Sequence, residues 1–172
     1  MTATSSIVGV TGHINFNESG MQEFKFTVNN VLSDLEKKYA TCLPSLACGF
    51  AAGADLEVAS IALARKWPLI AVLAGPQKEF EVEHTLVQTK ALYSQLIAAT
   101  SEIIVAAPSK TISPDKYCMV GDKIIELSDQ LIAVWDGNSS SPKRGGAAWV
   151  INRFLTVKTQ GNSRLHQIIV TR

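Results

Sequence analysis

The sequence lacks a long apolar run and a basic leader. No apolar stretch approaches the roughly 18 residues that a membrane helix needs, and the first six residues, MTATSS, include no basic side chain. The three cysteines, Cys42, Cys48 and Cys118, show neither CxxC nor zinc-site spacing. An odd number of cysteines without such spacing is typical of a reducing compartment. We therefore expect a cytoplasmic protein without a membrane contact, a metal or another cofactor.

Charge of either sign is also scarce. The 172 residues include 16 Lys and Arg against 15 Asp and Glu, which leaves a formal net charge of +1. A protein that holds nucleic acid through many phosphate contacts is usually more basic, so we expect no long nucleic acid as a partner. No acidic residue follows Lys143, however, and this stretch is either a solvated basic tail or a local anion site. Its basic residues are Lys143, Arg144, Arg153, Lys158, Arg164 and Arg172.

Several motifs of known enzymes are missing. The sequence contains no GxGxxG, no GxxxxGK[ST], no HExxH and no GxSxG. These absences disfavour a dinucleotide-binding fingerprint, a P-loop, a zinc protease and a hydrolase nucleophile elbow. Any function therefore has to be inferred from less specific patterns.

Apolar residues, which make up 47% of the chain, are concentrated in short runs separated by segments of helical period. The runs are Ile7 to Val10, Ser45 to Phe50, Leu69 to Leu73, Ile103 to Ala106, Leu131 to Trp135 and Ile168 to Val170. Near-continuous apolar strands are typical of a parallel sheet that helices cover on both faces. The pattern predicts a single domain over residues 1–172, a doubly wound three-layer α/β/α fold with about six mostly parallel strands.

Helical periodicity appears between these runs. The clearest case is an apolar stripe over residues 24–39, and a second helix over 54–66 is expected to end before Pro68. A third helix is predicted from about 82 to 99. Ser113 and Pro114 are predicted to open a fourth as N-cap and first helical residue. A last helix begins near Ala147.

In an open parallel sheet, ligands bind beyond the carboxyl ends of the strands, so the loops that follow the strands are the candidate sites. The first loop contains Thr11, Gly12 and His13, which offer a hydroxyl, a tight turn and a titrating ring. The alternative is a simple turn in which His13 caps a neighbouring backbone group. The second contains Gly53 and Asp55, where helix amides could hold an anion and the carboxylate a ribose, or where Asp55 only caps a helix.

The third loop follows the fifth run and combines positive charge with glycines. Its candidate binding residues are Asp136, Gly137, Lys143, Arg144, Gly145, Gly146 and Ala147. Cationic side chains beside the exposed amides of a helix start suit a phosphate. The alternative is a solvated Gly-rich loop.

Candidate catalytic residues are few. Glu81 and Glu83 belong to an acidic cluster after the third run, and Asp136 is a third candidate. A carboxylate there could act as a general base or nucleophile. The acidic cluster is equally readable as a solvated helix start that the helix dipole favours.

Taken in order, six segments resemble the SLOG superfamily, which includes the DNA-processing protein A fold and the LOG phosphoribohydrolases. They are VGVTGH, GFAAGADLEVA, LIAVLA, Tyr117 to Gly121, SDQLIAVWDG and the late GGAA. The resemblance implies a Rossmann-like domain with a nucleotide-related ligand in the crevice between these loops. The LOG motif PGGxGTxxE corresponds here to RGGAAWVI, which lacks the Pro, the Gly-Thr pair and the Glu, so that hydrolase activity is not implied.

Three functions are therefore open. The first is binding or sensing of a small nucleotide-derived ligand, such as an ADP-ribose-like molecule, a cyclic nucleotide or a nucleoside phosphate. The second is an enzyme that cleaves or exchanges an N-glycosidic bond, as a phosphoribohydrolase or deoxyribosyltransferase does. The third is an assembly module with an apolar outer face, which Trp149 and Phe154 could supply, although both are expected to lie in the core. A homodimer or higher homo-oligomer is expected for this fold.

Overall fold

Each of the six apolar runs forms a strand of one sheet. The structure is a computed structural model that describes residues 6–13, 20–81, 87–108, 113–140, 142–158 and 164–171. The strands are β1 (Ile7–Gly12), β2 (Ser45–Cys48), β3 (Leu69–Leu73), β4 (Glu102–Val105), β5 (Gln130–Trp135) and β6 (Arg164–Ile169). All neighbouring strands pair in parallel.

The strand order is β4-β3-β2-β1-β5-β6. The chain thus moves outward from β1 to β4 and then crosses back to place β5 on the other side of β1. Right-handed crossovers put the helices of the outward and return paths on opposite faces of the sheet. The predicted doubly wound α/β fold is confirmed, and its switch point lies between β1 and β5.

Six helices lie in the described part of the chain. They are α1 (Met21–Lys38), α2 (Ala54–Ala64), α3 (Gln77–Glu81), α4 (Val87–Ala98), α5 (Asp115–Leu127) and α6 (Ala147–Val157). Helix α2 packs on β1, β2 and β3 and contacts α1 and α4, whereas α5 and α6 pack together against the other face. The segment predicted as one helix from 82 to 99 is α4, preceded by the short α3; residues 82–86 lie outside the described residues.

The core lies on both sides of the central strands. Every residue of β3 and of β5 is buried, because helices cover both faces there. The predicted stripe of α1 is confirmed by Phe24, Val28 and Leu32, which are all at most 2% exposed. The edge strand β4 is mostly exposed.

Trp149 and Phe154 pack in the core, as expected, and so do not supply an apolar outer face. Phe154 is 2% exposed, and Trp149 is half-buried against the core. The N-cap of α5 is Pro114, one residue later than expected. No helix within the described residues combines the length and apolarity that a membrane crossing requires.

A polar cluster fixes the end of α2 to α1 near the amino edge of the sheet. The Arg65 guanidinium donates to both carboxylate oxygens of Glu36, at 2.9 and 2.6 Å. Trp67 Nε1 donates to the same carboxylate at 2.8 Å. These hydrogen bonds, first that of Arg65, lower the pKa of Glu36. The cluster therefore satisfies its own donors and acceptors.

We expect Gly12→Ala to destabilise the fold. A Cβ on Gly12 would lie 2.4 Å from the Cβ of Ala54 and 3.1 Å from the backbone oxygen of Val134, and neither atom can rotate away. Overpacking of this kind lowers the free energy of unfolding by about 2–3 kcal/mol, which urea denaturation measures. The matched control is Gly75→Ala, whose nearest contact would be 3.9 Å. Equal losses in the two variants would contradict the close approach.

Candidate functional site

The candidate site lies where the chain reverses its direction across the sheet. β1 and β5 are neighbours, and Gly12 at the end of β1 pairs with Val134 of β5. Their carboxyl ends therefore open at the same edge of the sheet, beside the starts of α2 and α6. This is the position at which open α/β sheets bind ligands.

Three segments meet directly at Gly12. Its missing side chain lets Ala54, the first residue of α2, approach β1. The Ala54 N–H donates to the backbone oxygen of His13 at 3.1 Å, and the His13 N–H donates to that of Val134 at 3.0 Å. The end of β1, the start of α2 and the end of β5 are thus joined by backbone hydrogen bonds. Thr11, the residue before Gly12 in β1, is buried.

His13 and Asp136 connect β1 with the loop after β5. The backbone N–H of Asp136 lies 3.0 Å from His13 Nε2, and the Asp136 Oδ1 lies 3.3 Å from the same nitrogen. The ring nitrogen accepts the backbone N–H of Asp136. The side chain of His13 is 10% exposed and that of Asp136 is 26% exposed. Asp136 therefore remains accessible while His13 positions it.

The β5–α6 loop begins with two consecutive side-chain turns. Oδ1 of Asp136 accepts the N–H of Asn138 at 3.0 Å, and Oδ1 of Asn138 accepts the N–H of Ser140 at 3.1 Å. Such turns shape a loop without secondary structure. Gly137 lies between them and is exposed. The Asp136 carboxylate therefore shapes its own loop, and its predicted contact with a ribose stays a prediction.

The same loop ends at the start of α6, which has no capping side chain. Gly145 has a φ of +77°, and a Cβ there would lie 2.8 Å from the Cβ of Tyr117 on α5. Gly146 is the N-cap of α6 and makes no side-chain cap. Helix geometry leaves the first amides, from Ala147 on, without partners inside the helix. Ala147 and Ala148 themselves are 5% and 9% exposed, so an anion would reach this helix start from the side of the β5–α6 loop.

Two cations precede this helix start. Lys143 and Arg144 are exposed, and the backbone oxygen of Lys143 accepts the N–H of Gly146 at 2.8 Å, which folds the chain back at the helix start. Arg144 Nη2 lies 3.0 Å from Asp115 Oδ1, but the two side chains are 65% and 52% exposed. Ion pairs this exposed contribute little, so Arg144 can exchange Asp115 for another anion.

Asp55 lies beneath the loop that leads into α2. Its side chain accepts the N–H of Ala51 at 3.3 Å and that of Gly49, and the residue is only 7% exposed. Burial raises the pKa of Asp55 to about 7, against the opposite effect of the two amides. Gly53, the N-cap of α2, has a φ of +85° and makes no side-chain cap. Sequence reasoning missed these inward-facing amides because no side-chain pattern marks them.

The catalytic candidates lie in two described elements and one segment outside the described residues. Asp136 lies at the site, Glu81 is the last residue of α3, and Glu83 lies outside the described residues. Within the part of the chain that the structure describes, no group of three His, Cys, Asp or Glu residues is arranged to hold a metal ion.

Comparison with solved structures identifies proteins with this fold. DNA processing protein A from Streptococcus pneumoniae aligns with a TM-score of 0.62 and 13% identity over 95% of this chain. DNA processing protein A from Helicobacter pylori, described for its single-stranded DNA binding mode, aligns with a TM-score of 0.60 and 12% identity over 95%. The chain spans 50% and 65% of their lengths. No protein-family model and no curated protein matches the sequence.

Two expectations from the sequence are wrong in the light of these neighbours. A sensor of a small nucleotide-derived ligand, or an N-glycosidic enzyme, was expected, and long nucleic acid was excluded. Two solved structures that share the fold are instead those of a DNA-processing protein, one of which is described for its single-stranded DNA binding mode. The exclusion failed because net charge averages over the chain, whereas phosphates contact only local groups.

The buried carboxyl of Asp55 predicts a pH-dependent stability. Because its folded pKa of about 7 lies above the ordinary value, the folded state binds the proton more tightly than the unfolded state. The bound proton therefore adds to the free energy of unfolding. This contribution is fully present below about pH 4 and is lost as the pH rises through 7. The free energy of unfolding of the wild type, relative to Asp55→Asn, should therefore fall by about 3 kcal/mol between pH 5 and pH 8.

Urea denaturation at several pH values measures this difference. The matched control is Asp34→Asn, which removes an exposed carboxyl from α1. A wild-type profile parallel to that of Asp55→Asn would show that Asp55 titrates like a solvated acid.

Proposed function

We propose that this chain binds single-stranded DNA through its phosphates at the carboxyl edge of the sheet. The observation that carries the proposal is the uncapped start of α6 directly after two exposed cations, Lys143 and Arg144. The fold shared with DNA processing protein A, of which the Helicobacter pylori protein is described as binding single-stranded DNA, supports the same ligand class.

The start of α6 offers two kinds of donor to one phosphate. The first amides of the helix, from Ala147 on, lack internal partners, and the helix dipole places about half a positive charge at this end. Lys143 and Arg144 add full charges, and an Arg guanidinium binds phosphate through two parallel hydrogen bonds. Gly145 lies against α5, where a Cβ would be 2.8 Å from the Cβ of Tyr117, and Gly146 lies against the backbone of Lys143, so both glycines bring the loop close to the helix start.

The junction of β1 and α2 provides the second part of the proposed surface. Thr11, Gly12, His13 and Gly53 lie there, next to Asp136 and Gly137 of the β5–α6 loop. We propose that a neighbouring segment of the strand passes this junction. Thr11 and Asp55 are buried, so they act on the strand through the backbone around them.

A near-neutral chain can bind a single strand at such a site. For each phosphate of single-stranded DNA that a protein neutralises, the logarithm of the affinity falls with the logarithm of the salt concentration with a slope of about 0.7. Binding therefore depends on the number of phosphate contacts, and a few contacts give measurable affinity. The affinity then depends on the charges that border the site. Beside the start of α6 these charges are Lys143 and Arg144, together with the carboxylate of Asp115 that pairs with Arg144.

The fold likeness also supports several broader proposals. We propose membership of the SLOG superfamily, a single domain over residues 1–172, a cytoplasmic location and a homo-oligomeric state. The chain spans 65% or less of the lengths of the DNA-processing neighbours, so other activities of those proteins are not part of the proposal.

Removing both cations should weaken DNA binding. We expect the double variant Lys143→Ala, Arg144→Ala to bind a fluorescently labelled oligothymidylate of about 20 nucleotides about tenfold more weakly, since two phosphate contacts are lost. The slope of log affinity against log salt concentration should fall by about 1.4. Fluorescence anisotropy over a salt series measures both quantities.

The matched control removes two cations from the other edge of the sheet. Lys37 and Lys38 are exposed in the last turn of α1, and their double alanine variant should bind within about twofold of the wild type. If the two double variants lose affinity equally, binding is a diffuse charge effect and not a property of the α6 start.

A negative cap on α6 should separate stability from binding. Gly146→Asp places a carboxylate where it accepts the free amides of α6, which should make it about 1 kcal/mol more stable than Gly146→Ala. The same carboxylate excludes a phosphate, so we expect oligothymidylate affinity to fall at least about tenfold relative to Gly146→Ala. Both variants add the same Cβ, which lies 3.1 Å from the backbone oxygen of Lys143.

Urea denaturation and anisotropy titrations supply the two readouts. If Gly146→Asp retains the affinity of Gly146→Ala, the amides of α6 do not contact the DNA.

A further inference from the structure

Ile169, the last residue of β6, is an exposed apolar side chain at the carboxyl edge of the sheet. It is 62% exposed, more than any other large apolar side chain of the six strands. Its neighbours Ile168 and Val170 are at most 9% exposed, because alternate side chains of a strand point to opposite faces. The exposure therefore belongs to one face of the strand end and is not due to fraying of the chain.

Ile169 lies on the face of the sheet on which α6 begins. It pairs with Trp135 of β5, and the Gln167 side chain accepts the Trp135 Nε1–H at 3.1 Å. Trp135 in turn packs with Ala147, the first residue of α6. Since residues two apart in a strand share a face, Ile169 lies on the same face as Gln167 and Trp135. An apolar surface thus lies one strand away from the proposed phosphate site.

The space beside Ile169 is open toward the β5–α6 loop. Among the described residues other than the chain neighbours of Gly137, only Cδ1 of Ile169 would come within 4 Å of a Cβ on Gly137, at 3.6 Å. Gly137 is itself exposed. Ile169 and the bare backbone of Gly137 therefore border a space that a planar ring can enter.

A base of single-stranded DNA fits this position. Phosphate contacts position a protein on nucleic acid, but single strands and duplexes carry the same phosphates. A single strand also offers unpaired bases, whose faces pack on apolar or aromatic side chains. Because every phosphate of the strand is linked to a nucleoside, a strand held at the start of α6 brings bases close to it.

The charges beside the start of α6 favour this occupant over a second copy of the chain. Lys143 and Arg144 are exposed and attract an anionic ligand. A symmetric contact between two copies would bring both pairs of cations to the same interface, where like charges repel.

We propose that Ile169 contacts a base of the bound strand and thereby makes the site selective for single-stranded DNA. The inference rests on the proposed function and names the part of the ligand that the phosphate donors do not recognise. In a duplex the bases are paired and stacked on one another, so none is free to lie on Ile169.

The experiment varies Ile169 and leaves the phosphate donors unchanged. Ile169→Trp enlarges the surface on which a base can stack, and Ile169→Thr keeps the branched shape but has a smaller apolar surface. We expect Ile169→Trp to bind the oligothymidylate about fivefold more tightly than the wild type, and Ile169→Thr about threefold more weakly. Fluorescence anisotropy measures these affinities.

Two further ligands of the same length separate bases from phosphates. An abasic oligonucleotide has the phosphates without the bases, and a duplex has bases that are already paired. Both variants should bind each of these ligands within about twofold of the wild type. The wild type should bind the oligothymidylate more tightly than the abasic strand.

The matched control is the same residue type in the opposite edge strand. Ile103 of β4 is 44% exposed, and Ile103→Trp and Ile103→Thr should leave oligothymidylate affinity within about twofold of the wild type. Analytical ultracentrifugation of all five proteins reports whether either edge joins two copies.

The outcomes distinguish the base contact from the phosphate site. Unchanged oligothymidylate affinity in both Ile169 variants, or equal changes for the abasic strand, overturns the role of Ile169 while DNA binding stands. Self-association that Ile169→Thr abolishes and Ile103→Thr does not would place a second copy on Ile169 and also overturns that role. Absence of binding by the wild type to all three ligands overturns the proposed function itself.

Discussion

The contact between Gly12 and Ala54 is the constraint on which the rest of the site depends. Strand order alone brings the ends of β1 and β5 to one edge of the sheet, but it does not determine how close α2 begins to them. Because Gly12 has no side chain, Ala54 reaches β1 and donates to His13. His13 in turn holds Asp136, from which the β5–α6 loop starts. One missing methyl group thus determines the relative positions of three loops.

The two edges of the sheet use polar groups differently. Near the amino edge, Arg65, Glu36 and Trp67 satisfy one another and fix α2 to α1. At the carboxyl edge, α2 and α6 both begin after a glycine that cannot cap them, and a carboxyl is buried at the cost of its ionisation. Arrangements that forgo stability in this way are typical of functional sites, which must leave donors for a ligand.

The sequence predicts the fold well because its signals are local. Apolar runs and helical stripes depend on near neighbours, and all six strands overlap these runs, although β6 begins at Arg164, before its run of Ile168 to Val170. The loops after β1, β2 and β5 were also identified, because parallel strands place their carboxyl ends together. The burial and hydrogen bonds of Asp55 were not predictable, since they depend on backbone amides of Gly49 and Ala51 that turn inward only in the folded loop.

The choice of ligand was wrong for a related reason. A net charge of +1 sums an acidic first half and a basic end, and it omits the partial charges of helix starts altogether. A phosphate close to Gly146 experiences Lys143, Arg144 and the amides of α6, but it is shielded by salt from charges more than about 10 Å away. The composition of the whole chain therefore bears on solubility, whereas the geometry of one helix start bears on whether a DNA strand can bind.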